Sequence, residues 1–190
     1  MNDKKFDPKK LHKLNNPERL LDIPPEYIWN KISLVKPDVF VDIGAGTGFF
    51  SIPFLNYVKN GKIFACDTSD IMVQWMKNNI CPQYPNIVPL EMEENAVPLE
   101  DGIADLVYMI SLHHELDKPE AILEESFRIL KNNGAIFIVD WKKEDMSEGP
   151  PKHIRYLPEH VKDQLVSAKF KNVHIFNEMS KHFLVVAEKR

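Results

Sequence analysis

The sequence predicts an α/β fold in which a largely parallel sheet is covered by helices on both faces. Short apolar runs rich in β-branched residues recur along the chain, and amphipathic segments separate them. Over most of the chain successive strands must therefore cross over through a helix rather than turn back as hairpins. Length supplies a further bound. The 190 residues suffice for one domain with a sizeable core and are too few for two ordinary ones. A single domain over 1–190 is expected, with an N-terminal helical cap over 1–35 ahead of a core over 36–190.

Residues 39–43 form the first expected strand, which ends at glycine. The helix after it should begin near 47–49, with Pro53 close to its first turn, where a missing N–H costs little. Residues 62–66 read as the second strand, and Ser69 or Asp70 can cap a helix running to about Asn79. Residues 86–90 and 105–110 supply the third and fourth strands. Ala121, Ile122, Ile129 and Leu130 mark a strongly amphipathic helix over 118–130, with Asn132, Asn133 and Gly134 as its stop signal. Residues 135–139 are the fifth strand. The pattern changes after Asp140. Residues 148–151 form a turn-rich break, 158–168 read as a helix, and 172–176 and 182–188 as a closing antiparallel pair. Two short helix candidates, 17–21 and 25–34, precede the first strand and are placed to lie over a ligand crevice.

Composition narrows the function classes. The chain is 44% hydrophobic and 27% charged, and no apolar run approaches the ~18–20 residues that cross a bilayer. The N-terminal basic residues are not followed by an apolar core, so no secretory signal is read and the cytoplasm is expected. A net charge of −4 and a pI near 6.0 argue against a nucleic-acid partner. The lysine cluster at Lys4, Lys5, Lys9, Lys10 and Lys13 reads as a solvated arm. Cys66 and Cys81 form no C-x-x-C pair and read as reduced packing residues.

The stretch VDIGAGTGFF, residues 41–50, places Gly44, Gly46 and Gly48 at the carboxyl end of the first strand. In open α/β sheets this is where ligands bind, and glycine lets the backbone approach them closely. The dinucleotide fingerprint is G-x-G-x-x-G. Here the third glycine comes one residue early, which departs from that pattern. Asp67 ends the second strand, where a carboxylate can accept both hydroxyls of a ribose; the alternative is a helix-capping role. Glu93 and Glu94 follow the third strand, where one of them can accept a hydrogen bond from an adenine amino group; the alternative is an exposed acidic loop.

Four stretches together resemble the class I S-adenosylmethionine-dependent methyltransferases, in particular the branch of ubiquinone and menaquinone C-methyltransferases. They are VDIGAGTGFF, FACDTSDIM, MEENAVPLEDGIADLVYMISLHHELD and ILEESFRILKNNGAIFIVDWKK. They cover roughly residues 39–143 in the family's order and spacing. The resemblance implies a Rossmann-like, doubly wound, seven-stranded sheet whose last strand is antiparallel, with S-adenosyl-L-methionine as cofactor. It implies that Asp42, Gly44, Ala45 and Gly46 line the methionine part, and that Asp67, Thr68 and Met72 hold the adenosine. Glu93 and Glu94 align with the adenine-side positions, and Ser111 and Leu112 border the site through backbone atoms. MEEN stands where many relatives have Gly-Asp-Ala, so Glu93 is longer than the usual Asp.

Methyl transfer is an in-line displacement in which positioning supplies much of the rate, and a base is needed only when the acceptor must lose a proton. His113 and His114 in SLHHELD are the best-placed titratable residues, with His114 preferred as the base and cofactor packing or loop bordering as the alternative. Asp140 either orients a substrate or fixes the loop after it. His153, Arg155 and Tyr156 are candidates for a substrate lid or for a plain surface. H-H-E does not extend to H-E-x-x-H, and the acids available after the fourth and fifth strands are too few for a catechol-type metal site, so no metal is expected. The Asn/Asp-Pro-Pro-Tyr stretch of adenine- and glutamine-directed enzymes is replaced by ISLHHEL. A small-molecule acceptor remains, with a homodimer as a possible assembly. The rival functions are a non-catalytic S-adenosylmethionine-binding or interaction protein and, behind it, a NAD-dependent oxidoreductase.

Overall fold

A computed structural model describes residues 11–190. Lys4, Lys5, Lys9 and Lys10 lie outside the described residues; Lys13 is exposed. Three short helices come first, α1 (Leu11–Leu14), α2 (Arg19–Asp22) and α3 (Pro25–Trp29). The core then runs β1 (Val39–Ile43), α4 (Ser51–Phe54), β2 (Lys62–Asp67), α5 (Asp70–Asn79), β3 (Ile87–Glu91) and β4 (Ala104–Ile110). It closes with α6 (Pro119–Ile129), β5 (Leu130–Trp141), α7 (Pro158–Ser167), β6 (Lys171–Phe176) and β7 (His182–Glu188).

The seven strands lie in the order β3-β2-β1-β4-β5-β7-β6. β1 pairs in parallel with both β2 and β4. The chain reverses its direction of travel across the sheet at that point, which opens a crevice beyond the carboxyl ends of β1 and β4. β7 runs antiparallel to both β5 and β6. The outermost strand β3 carries Pro89. Asn86 and Met92 bond to β2, so by alternation Pro89 turns its missing N–H to the open edge, where it blunts further pairing.

Alternation along the strands sorts the core into two layers. Val41, Val107, Ile138 and Val185 pack with Ile122 and Leu123 of α6 and Val161 and Leu165 of α7. Phe40, Tyr108, Phe137 and Leu184 pack with Ile28 of α3 and Phe54 of α4. Tyr108 and Phe137 stack with ring centroids 5.0 Å apart. Each such fully buried large side chain contributes about 1.5–3 kcal/mol.

Several boundaries differ from the sequence expectation. The helix after β1 starts at Ser51, not at 47–49, because Gly48 has φ +70° and cannot belong to a right-handed helix. The helix expected to stop at Asn132–Gly134 ends at Ile129. Leu130 is already extended and pairs with Ala104. Asn133 takes the left-handed conformation at φ 64°, while Gly134 provides space, since a Cβ there would lie 2.9 Å from Lys131 O. The 17–21 and 25–34 candidates are shorter or shifted, at Arg19–Asp22 and Pro25–Trp29. Ser69 occupies the N-cap of α5 without a side-chain cap bond.

Candidate functional site

The crevice is built on the glycine loop. Gly44, Gly46 and Gly48 have φ of 70°, 57° and 70°, conformations that a side chain would strain. Gly44 N–H and Ala45 N–H donate to Cys66 O at 2.8 and 3.0 Å, which hangs the loop from the end of β2. A Cβ on Gly44 would lie 2.6 Å from Leu112 Cδ2. Glycine at 44 thus lets Leu112 pack directly on the loop backbone, and the two form one surface.

Asp67 joins the loop to β2. Its Oδ2 accepts from Gly46 N–H at 2.8 Å and its Oδ1 from Ser69 N–H at 2.9 Å. Each oxygen keeps capacity for a further donor. Burial raises its pKa, with the N–H bonds from Ser69 and Gly46 opposing. Asp42, 3% exposed, lies beneath the loop and accepts from Ser51 Oγ at 2.6 Å. Burial pushes its pKa up to about 7, against the Ser51 bond and with the Asp67 charge. The buried Tyr108 hydroxyl lies beside Asp42 and Ser51, close enough to help hold the Asp42 carboxylate and to feel its charge.

On the β2–β3 side, Thr68 is exposed and Met72 is buried. Met92 N–H donates to Asp67 O at 3.0 Å, drawing the end of β3 toward the acid. Glu93 is exposed and pairs with Ala96 in an isolated antiparallel bridge, and Glu94 beside it is exposed.

The turn after β4 carries the candidate acid–base group. Ser111 has φ 56° and its N–H donates to Val139 O at 2.8 Å. This kink leads into a 3-10 turn, His113–Glu115. Asp140, at the end of β5, receives His114 N–H on Oδ2 at 2.9 Å and meets His114 Nδ1 with Oδ1 at 2.8 Å. A carboxylate only accepts, so Nδ1 carries the proton and the neutral ring's lone pair is on Nε2. Glu115 Oε1 lies 3.7 Å from that nitrogen. Burial works against a charged His114, but Asp140 outweighs it and the pKa is raised. Burial likewise opposes an ionised Asp140, yet the His114 charge and hydrogen bond hold its pKa below the ordinary value. His113 turns away, with Nε2 2.8 Å from Gln164 Oε1 and its ring edge-on to Tyr156.

Asp140 therefore holds His114 as well as the loop after it, through Trp141 N–H at 2.7 Å. Arg155 is buried and donates to the carbonyls of Pro150, Lys142, Glu144 and Glu148. It is a clamp on the 142–150 loop. His153 is exposed, and Tyr156 packs on His113. Sequence reasoning did not pair Asp140 with His114 or name Ser51, Gln164 and the Arg155 carbonyl clamp. The signal for the first was strand adjacency, since Ile110 and Val139 are in register and the residues that follow must emerge at one edge. Among the described residues no group of three or more His, Cys, Asp or Glu side chains is arranged to hold a metal.

Residues 41–138 match the family described as Methyltransferase domain. A S-adenosylmethionine-dependent methyltransferase from Aquifex aeolicus has a solved structure that superposes with a TM-score of 0.91 at 32% identity, covering 98% of this chain and 100% of that one. The tRNA(Phe) (4-demethylwyosine(37)-C(7)) aminocarboxypropyltransferase of Methanocaldococcus jannaschii is 26% identical over 153 residues, 80% of this chain and 59% of that protein. An uncharacterized methyltransferase of Schizosaccharomyces pombe is 30% identical over 129 residues, 66% of this chain and 49% of its own length. The chain thus spans about half to three-fifths of these two curated relatives.

Proposed function

The chain belongs to the methyltransferase-domain family, and from that premise we propose that it is a S-adenosylmethionine-dependent methyltransferase acting on a small-molecule acceptor. The observation that carries the cofactor reading is the Gly46 N–H to Asp67 Oδ2 bond, which makes the glycine loop and the acid one rigid cradle. The donor set suits the group. Asp67 has lone pairs left for two ribose hydroxyls, and the positive φ of Gly44 and Gly46 turns the loop backbone sharply at the end of β1, beside which the methionine portion would lie. Asp42 places a buried acid beneath a cationic ligand. Ala45, Thr68 and Met72 complete the walls, Glu93 and Glu94 take the adenine side, and Ser111 and Leu112 form the border.

When bound, S-adenosylmethionine supplies an electrophilic methyl group on a sulfonium. The protein's own part is to align the acceptor and, where the acceptor carries a proton, to remove it. His114 Nε2 is the group for that task. The proton passes from the acceptor heteroatom to Nε2, and Asp140 stabilises the resulting imidazolium through Nδ1–H. A net charge of −4 favours a small molecule over a polyanion. The narrower placement beside the quinone C-methyltransferases rests on the motif resemblance alone.

The test is transfer of label from methyl-labelled S-adenosylmethionine into small-molecule pools and, in parallel, into tRNA. Label in the small-molecule pool is expected; label in tRNA alone refutes the acceptor class. The Methanocaldococcus jannaschii relative raises a second reading, transfer of an aminocarboxypropyl group. Chromatography of the nucleoside product separates the two, because methyl transfer leaves S-adenosylhomocysteine and aminocarboxypropyl transfer leaves methylthioadenosine. Binding without either product supports the non-catalytic alternative.

A further inference from the structure

The geometry points to residues 14–23 as a strap that closes the crevice, latched shut by Lys181; its control of cofactor exchange rests on the cofactor reading above. One end of the strap lies on the glycine loop. Thr47 Oγ1 donates to Asn15 Oδ1 at 2.8 Å, and Leu14 Cδ1 lies 3.2 Å from where a Cβ on Gly46 would be. In the middle, Arg19 Nη1 donates to Leu14 O at 2.6 Å, and the guanidinium sits 4.8 Å from the centre of the Phe50 ring. The far end reaches the start of β7, where Lys181 Nζ is 2.8 Å from Asp22 Oδ2. The strap therefore runs along the carboxyl edge of the sheet from β1 to β7, across the place where a ligand would enter.

Lys181 also reaches Glu148 Oε1 at 2.6 Å. Both sides of this second contact are held. Lys142 N–H donates to Lys181 O at 3.0 Å, and Arg155 Nη2 donates to Glu148 O at 3.0 Å. A single ammonium thus ties the strap to a loop that the Arg155 clamp fixes. The closed strap is otherwise finely balanced. Ile23 is 1% exposed and anchors it in the core layer. Against that, His182 near Asp22 and Arg19 is 2% exposed with both ring nitrogens unpartnered among the described residues. The Arg19 guanidinium is largely desolvated, and among the described residues the one hydrogen bond it donates is to Leu14 O. Buried polar groups without partners oppose closure, so a modest latch decides whether the strap is shut. Opening also frees Asp22, Glu148 and Lys181 to solvent, which makes the motion inexpensive.

The experiment compares wild-type protein with Lys181→Met, which keeps the aliphatic stem, with Asp22→Asn, and with Lys131→Met, whose ion pair to Asp105 is a control outside the strap. Hydrogen exchange at the Leu20 and Ile23 amides, bonded to Pro17 O and Arg19 O, reads the strap without any ligand. Radiolabelled S-adenosylmethionine, preloaded and chased with unlabelled S-adenosylhomocysteine, reads exchange of the cofactor. Exchange at the amides and release of label are both expected to rise roughly 1.5- to fivefold in Lys181→Met and Asp22→Asn, the range that loss of exposed ion pairs supplies, and to be unchanged in Lys131→Met. Unchanged amide exchange in both variants overturns the latch. Faster amide exchange with unchanged release overturns the gate. Wild-type protein that retains no label refutes the cofactor reading instead, while amide exchange still decides the latch.

Discussion

Asp42 and Asp140 are both buried carboxyls, and their surroundings drive them in opposite directions. Asp42 is raised to about 7 because burial outweighs its hydrogen bond from Ser51. Its folded pKa lies above the unfolded value, so ionisation destabilises the native state as pH rises through the acid range toward 7. Asp42→Asn keeps an acceptor for Ser51 and removes that cost. The variant is expected to melt higher than wild type at pH 8, to differ little at pH 4, and to bind S-adenosylmethionine more weakly; equal melting at both pH values would show that Asp42 is not buried as an acid. Asp140 is lowered and His114 raised. Asp140 contributes stability above its unfolded pKa that is lost as pH falls through its folded one. His114 contributes below about 6.5 and loses the contribution as pH rises through its raised value. The pair is fully effective between the two. Asp140→Asn is expected to cost about 1–3 kcal/mol in urea unfolding within that window, with the deficit shrinking above it. The same variant should lower the His114 midpoint in an NMR titration.

At the scale of elements, the strands were legible and the turns between them only in part. Apolar runs located the buried strands because these must be continuously apolar; the exposed β6 was read from its place beside β7, and β5 begins five residues before the expected 135. Helix ends were less legible, since they depend on backbone signs that composition does not carry. Gly48 at φ +70° delays α4, and Asn133 rather than Gly134 takes the left-handed position after α6. The Asp140–His114 pair was hidden because its members are 26 positions apart and meet only when β4 and β5 are in register. Arg155 was hidden for a related reason, as four carbonyls in a coil leave no side-chain pattern. Gly44→Ala is expected to abolish cofactor binding in calorimetry, because the new methyl meets Leu112 at 2.6 Å and the residue keeps φ +70°. Arg155→Ala is expected to make the 142–150 loop a site of limited proteolysis while the sheet keeps its circular dichroism. Resistance equal to wild type would show that the carbonyl clamp does not hold the loop.

For the whole molecule, one topological fact organises the function. β1 lies at the switch point, so its glycine loop, Asp67 at the end of β2, the His114 turn after β4 and Asp140 at the end of β5 all lie along one edge. The N-terminal strap covers that edge, and α6 and α7 support His113 through Gln164 from behind. Residues 41–138, which match the family, contain the proposed cofactor cradle and His114. The strap, Asp140, the Arg155 clamp and Lys181 fall outside them, which is where acceptor choice and access are expected to be set. The cradle itself is most directly tested by titrating S-adenosylmethionine into wild-type protein and into Asp67→Ala by calorimetry. Wild-type binding on the order of micromolar is expected, weakened about a hundredfold in Asp67→Ala through loss of two hydrogen bonds to a charged acceptor. Equal affinity for the two proteins, or binding of NAD with none of S-adenosylmethionine, would contradict it.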